Sequence, residues 1–114
     1  EAPASRDPIK VIRAGIGNTV KMVPVDDVCF LQATDKYAGV VWADGEALIR
    51  TRLRELQAQL PPGRFQQIHR STVVNMDAVA AATRDDAGRL ALSLRGRSER
   101  LPVSRLYADL FRQM

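Results

Sequence analysis

The sequence has 114 residues, 46% of them hydrophobic, a length that supports one domain with a buried core and excludes two ordinary ones. No run approaches the roughly 18 consecutive apolar residues of a membrane span, and the N-terminus lacks the basic-then-apolar pattern of a signal peptide. The single cysteine, Cys29, excludes an intrachain disulfide and fits a reducing cytoplasm, while the net charge of +4, with arginine far outnumbering lysine, suits a polyanion such as nucleic acid.

Residues 1–8 (EAPASRDP) are rich in Ala, Pro, Ser and charge and are expected to be an interdomain linker or a cut end, leaving 9–114 as the domain. From Ile9 to Val23, two β-like runs flank Gly15-Ile16-Gly17-Asn18, a cluster that tolerates positive φ and closes a hairpin. After a turn at Pro24 to Asp27, Val28 to Thr34 is almost continuously apolar, as expected of a strand covered on both faces. Tyr37 to Trp42 follows as another strand beyond the polar break Asp35-Lys36. Asp44-Gly45 marks a tight turn into Glu46 to Arg50, so the first half reads as a β-meander.

At Thr51 to Leu60 the period changes. Leu53, Leu56 and Leu60 recur at helical spacing, Arg and Gln fill the other face, and Pro61-Pro62-Gly63 ends an amphipathic helix packed on the sheet. Phe65 to Asn75 then carries IHRSTVVN, and strand character resumes at Val79 to Arg84. The turn Asp85 to Gly88 leads to Leu90, Leu92 and Leu94, alternating with Ala and Ser in a second hairpin. Ser104 is positioned to cap a C-terminal helix whose apolar stripe is Leu106, Tyr107, Leu110, Phe111 and Met114. The pattern as a whole predicts a mainly β domain with one or two short helices.

Catalysis needs a nucleophile, an acid or base and usually an orienting partner, and the supply is one histidine, one cysteine and scattered carboxylates. Cys29 lies in an apolar strand pattern, which marks a core thiol and not an activated thiolate. His69 has no Asp or Glu close in sequence to orient it and reads as structural or DNA-facing. Asp26-Asp27 and Asp85-Asp86 read as turn formers, so no metal site is expected. Gly15-Ile16-Gly17 connects two strands and opens no helix, unlike a phosphate-binding loop. The expectation is a non-enzyme with no cofactor.

Three segments gather polar chemistry. His69-Arg70-Ser71 sets an imidazole, a cation and a hydroxyl side by side between apolar Ile68 and Val73-Val74, so an anchored loop there can donate to phosphate oxygens. Without such anchoring the same trio is a solvated turn. Arg105 falls in the first turn of the C-terminal helix, where a cation opposes the helix dipole and an anionic partner would reverse that cost. Asp35-Lys36-Tyr37 adds a basic and aromatic position, or else a plain strand connection with Tyr37 in the core.

Taken in order, DDVCFLQATDKY, a DG turn, LIRTRLRELQAQLP, FQQIHRSTVVN and LPVSRLY resemble LytTR domains, from about Ile9 to Met114. The resemblance implies an elongated, mainly β stack of antiparallel sheets with short helices, in which loops and not a recognition helix enter successive major grooves of double-stranded DNA. It implies three DNA-binding loops: one at Lys36, Tyr37 and Ala38, one at His69, Arg70 and Ser71, and one ending at Ser104 and Arg105. Arg105 is expected to read a base edge, a guanine through its bidentate fork. Arg70 and Ser71 are expected to hold phosphates, and His69 either to face DNA or to brace its loop. Two departures stand out: Gln67 occupies a position where the family often has Arg, and Ala38-Gly39 follows Tyr37 where larger side chains are frequent, which bears on base contact by the first loop.

Proteins similar to this are usually response regulators with an N-terminal phosphoacceptor receiver domain, and they bind paired direct repeats in promoters as dimers. The resemblance therefore implies promoter DNA, a receiver domain and a second copy as partners, a cytoplasmic location and no membrane. The alternative is a β-rich dimerisation or ligand-sensing module whose basic surface is incidental. RNA binding is disfavoured, because 5% aromatic residues leave few rings for stacking on bases.

Overall fold

The computed structural model of the chain describes residues 8–61 and 63–112. The linker expected over 1–8 therefore lies, apart from Pro8, outside the described residues, as do Pro62 and Met114.

Alternating burial and turn chemistry account for an N-terminal ribbon. β1 (Val11–Ile16) and β2 (Thr19–Pro24) pair antiparallel with buried Ile12 opposite buried Val23, and the chain reverses at Gly17-Asn18. Gly17 takes φ +59°, which a side chain would disfavour. A 3-10 turn at Val25–Asp27 leads into β3 (Val28–Ala33), β4 (Ala38–Trp42) and β5 (Gly45–Ile49). The turn before β5 is Ala43-Asp44, one residue earlier than the sequence suggests, because Gly45 already pairs with Trp42. A Cβ on Gly45 would sit 3.1 Å from the Trp42 ring, so glycine is selected there by packing.

The leucine-periodic segment forms α1 (Leu53–Gln59), which buries Leu53 and Leu56. β6 (Phe65–His69) and β7 (Thr72–Asn75) complete a five-stranded antiparallel sheet in the order β5-β4-β3-β7-β6. A 3-10 turn at Met76–Ala78 then leads to β8 (Val79–Arg84), β9 (Leu90–Leu94) and β10 (Arg97–Val103), a three-stranded antiparallel sheet with β9 at its centre. β10 has no counterpart among the strands expected from the sequence. Its segment RSERLPV offers only Leu101 and Val103 as apolar residues and contains Pro102, which a strand tolerates at an edge, where β10 lies.

The central sheet is covered on both faces. One face packs with the β1–β2 ribbon and α1 through Ile12, Val23, Val28, Leu31, Leu56 and Val73. The other packs on the three-stranded sheet through Cys29, Phe30, Ile68, Val74, Leu92 and Leu101. β3 serves both cores by alternation, and its register shift with β4 between Val28 and Phe30 is a bulge that sends the consecutive residues Cys29 and Phe30 to one side. Full burial of side chains such as Leu31, Ile68 and Leu92 stabilises by about 1.5–3 kcal/mol each relative to exposure. The expected stack of antiparallel sheets is what forms, with overall extents of 45 × 36 × 25 Å.

Arg97 ties the layers together from β10. Its Nε and Nη2 donate to the two carboxylate oxygens of Glu99 (2.7 and 2.6 Å), and its Nη1 donates to the Trp42 carbonyl at 2.7 Å. At the C-terminus the expected helix is a 3-10 helix, Arg105–Phe111, and the expected stripe is not buried as a unit. With three residues per turn, Ala108 and Phe111 share the inner side, while Leu106 is 79% exposed and Leu110 is also exposed.

Candidate nucleic-acid interface

Three chain reversals far apart in sequence meet at one end of the central sheet. The first joins β3 to β4: the amide and Oγ1 of Thr34 both donate to the Tyr37 carbonyl (2.9 and 3.1 Å), closing a tight turn that exposes Asp35 and Lys36. Tyr37 is 37% exposed, so the core position allowed for it by the sequence is not adopted. Ala38 differs from its neighbours: its methyl is 0% exposed and its backbone pairs with Ala33 and Ile49 on either side. It anchors the turn and has no side-chain surface to offer a ligand.

The second reversal is the β6–β7 tip at Arg70-Ser71, with Arg70 exposed. Here the register shifts between Gln67 and His69, leaving Ile68 as the extra residue of a bulge and wholly buried. The Ser71 amide donates to His69 Nδ1 (3.3 Å), and Ser71 Oγ lies 3.0 Å from the same nitrogen. The amide contact fixes the ring against the backbone of its own loop, and the direction of the hydroxyl contact follows the ring tautomer. His69 thus braces its loop. Because the amide already occupies the ring nitrogen, the Ser71 hydroxyl can turn its proton outward beside the exposed Arg70 guanidinium. Gln67 donates from Nε2 to the His69 carbonyl at 3.2 Å and so also supports the tip.

The third segment follows β10. Ser104 caps the 3-10 helix, its side chain accepting from the Leu106 amide at 3.4 Å, and Arg105 is exposed as the first helical residue. Backbone bonds join the three segments: the Ala33 amide donates to the Ser71 carbonyl (2.7 Å), and the Ser104 amide donates to the Ile68 carbonyl (2.8 Å). Lys36, Arg70 and Arg105 form no ion pair among the described residues, in contrast to Arg64, Arg89 and Arg97.

Charge is polarised along the sheet. At the end opposite these loops lie Asp26, Asp27, Asp44 and Asp77, outnumbering Arg95 beside them, around the start of β3 and the β4–β5 turn. Arg64 reaches into that end, 2.6 Å from Asp26 and 3.1 Å from Asp77, and buried Asn75 joins its elements by donating to the Val28 carbonyl (2.8 Å) and accepting from the Asp77 amide (3.0 Å). A domain charged this way orients a polyanion toward its basic end.

Residues that the sequence pattern did not single out also line this end. Arg50, Arg52 and Arg54 share a cleft with Lys36, Tyr37, Gln67 and Arg70. In the sequence Arg50 ends a strand segment and Arg52 and Arg54 fall on the polar face of the helical segment; the available signal was the like-charged spacing of Arg50 and Arg54 with no acidic residue between them. Among the described residues no group of His, Cys, Asp and Glu is arranged to hold a metal, and no helix is long and apolar enough to cross a membrane.

The fold is an antiparallel β domain with cationic loops gathered at one end of its sheet, a short α1 and a 3-10 helix, and no long helix among the described residues. The LytTr DNA-binding domain family model matches residues 18–114, and the chain belongs to that family. It is 36% identical over 105 residues to an uncharacterized response regulatory protein of Vibrio cholerae, covering 89% of this chain and 40% of that protein. It is 29% identical over 103 residues to the CO-responsive transcriptional regulator RcoM of Rhodospirillum rubrum, covering 90% and 44% respectively. A solved LytTr DNA-binding domain from Bacillus cereus, part of a protein described as a putative methyl-accepting/DNA response regulator, superposes with a TM-score of 0.81 at 30% identity, covering 90% of this chain and 94% of that one. The chain spans less than half the length of the curated relatives it matches.

Proposed function

We propose that this domain is the output module of a cytoplasmic two-component transcriptional regulator, which binds specific promoter sequences in double-stranded DNA by inserting its loops into successive major grooves. The observation that carries the reading is the joining of the Lys36, Arg70 and Arg105 segments by backbone hydrogen bonds, which preorganises three cationic tips for one ligand. Arg105 reads a base edge, the Arg70 guanidinium and the Ser71 hydroxyl donate to phosphates, His69 braces the second loop, and Ser104 sets the direction of Arg105. Lys36 and Tyr37 supply the first loop's contact. Residues 9–114 form the domain; a receiver domain precedes it in the full protein, and two copies occupy paired direct repeats. The names of its relatives, a response regulatory protein and a transcriptional regulator, favour the same reading.

Selection of genomic fragments bound by the chain, followed by their alignment, tests this directly. A shared motif repeated at roughly one helical turn, about 10 bp centre to centre or a multiple, is the expected outcome. Failure to retain any genomic DNA at low salt would instead favour a dimerisation or ligand-sensing module with an incidental basic surface.

A further inference from the structure

A cleft of about 670 Å³ is bounded by the β3–β4 turn, the segment from β5 into α1, and the β6–β7 tip. Lys36, Arg50, Arg52, Arg54 and Arg70 line it against a single carboxylate, Asp35, and none of the five cations forms an ion pair among the described residues. Collecting like charges without counter-charges is repulsive in the free domain, and an anion in the cleft relieves that repulsion. Arg50 and Arg52 lie between the buried residues Ile49 and Leu53, and Arg54 follows Leu53 in α1, so the backbone that carries all three is fixed before any ligand arrives.

All five side chains are exposed, and they come from three separate segments. Such a set does not enclose a small anion. It suits a chain of phosphates passing along an open groove. Lys36 and Arg70 belong to the loops described above, so the cleft continues the same surface. We infer that the cleft holds the phosphodiester backbone of the duplex flanking the base-reading loops, with Arg50, Arg52 and Arg54 as phosphate contacts. This inference rests on the DNA-binding reading and extends its footprint beyond the three loops.

The test compares wild type with a chain carrying Arg50→Gln, Arg52→Gln and Arg54→Gln, by measuring affinity for a selected duplex and an unrelated duplex over a range of salt concentrations. Each phosphate that is no longer neutralised lowers the slope of log K against log salt by about 0.9, so a drop of about 2–3 is expected. Affinity for both duplexes should fall by the same factor, leaving their ratio unchanged. Trimming base pairs from the flanks should weaken wild type and leave the triple variant unaffected. A control that removes two cations elsewhere, Arg84→Gln with Arg89→Gln flanking the β8–β9 turn, should leave the slope near wild type. If the triple variant keeps the wild-type melting temperature and slope, or if the β8–β9 variant lowers the slope equally, the cleft assignment is overturned while DNA binding stands. A wild-type chain that binds neither duplex would overturn both.

Discussion

The Ser104 amide donates to the Ile68 carbonyl across 2.8 Å, joining the segment that carries Arg105 to the edge strand β6 beside the braced tip at Arg70. Ile68 is wholly buried, so the acceptor is fixed in the core, and Arg105 inherits its position from that core and not from its own exposed helix.

This relationship gives the first prediction. Ser104 has φ −66° and ψ 148°, a conformation proline adopts without strain, yet Ser104→Pro deletes the amide hydrogen and sets Cδ against the Ile68 carbonyl. Ser104→Ala keeps the amide and loses only the weak cap to Leu106. The proline variant is expected to lose discrimination between the selected duplex and an unrelated one by about 1–3 kcal/mol, comparable to Arg105→Ala, because a base contact depends on placement. The alanine variant should discriminate nearly as well as wild type. Equal discrimination by Ser104→Pro and wild type in a competition binding assay would mean that the Ile68 link does not position Arg105.

β1 and α1 are legible because one buried face dictates the period of each, and β3 and β4 because burial on both faces leaves a nearly continuous apolar run. β10 is illegible for a physical reason. Arg97 and Glu99 are stabilised by each other and by the Trp42 carbonyl, a contact across the layers that leaves no apolar period in RSERLPV. The C-terminal helix is legible, but its 3-10 winding, which turns Leu106 outward, depends on docking against β6 and leaves no mark in a leucine pattern. Of the site, the three loop segments are readable from clustered polar residues between apolar anchors. Arg50, Arg52 and Arg54 are not, since only tertiary structure brings the start of α1 beside Lys36 and Arg70.

A second prediction concerns acid. The bidentate bond from Arg97 holds the Glu99 carboxyl below the usual carboxylate range. A carboxylate depressed on folding stabilises the fold above its unfolded value, about 4.3, and that contribution disappears as pH falls through the lower folded value. Glu99→Gln should therefore melt below wild type by a constant margin above about pH 5, with the two curves converging in more acidic solution. Melting temperatures across a pH series measure this, and a margin that persists or grows in acid would contradict the assigned role of the pair.

A third prediction follows from Cys29, a bulge residue in the core between the sheets, whose burial pushes the thiol above its ordinary value. Only thiolate reacts at a useful rate, and the folded chain restricts access as well. An aromatic disulfide reagent at neutral pH should label the native chain only on the timescale of unfolding and the denatured chain at once. Rapid native labelling would place Cys29 in an open strand edge instead of the packed layer.

A fourth prediction tests the polar residue that fixes the far end of the sheet. Asn75 is 1% exposed and serves two chain segments, donating Nδ2 to the Val28 carbonyl and accepting the Asp77 amide on Oδ1. Neither group gains water readily if the side chain is removed, so the cost includes desolvation left uncompensated as well as the bonds themselves. Asn75→Ala is expected to lower stability by about 2–3 kcal/mol in urea titration at unchanged m-value. Asn75→Asp retains the acceptor for Asp77 but turns a negative oxygen toward the Val28 carbonyl, so it should be at least as damaging at neutral pH. Because Asn75 lies at the end of the sheet remote from the three loops, the residual folded fraction of Asn75→Ala should bind a selected duplex with wild-type affinity and salt slope. A selective loss of discrimination at full folding would instead assign Asn75 a part in DNA recognition.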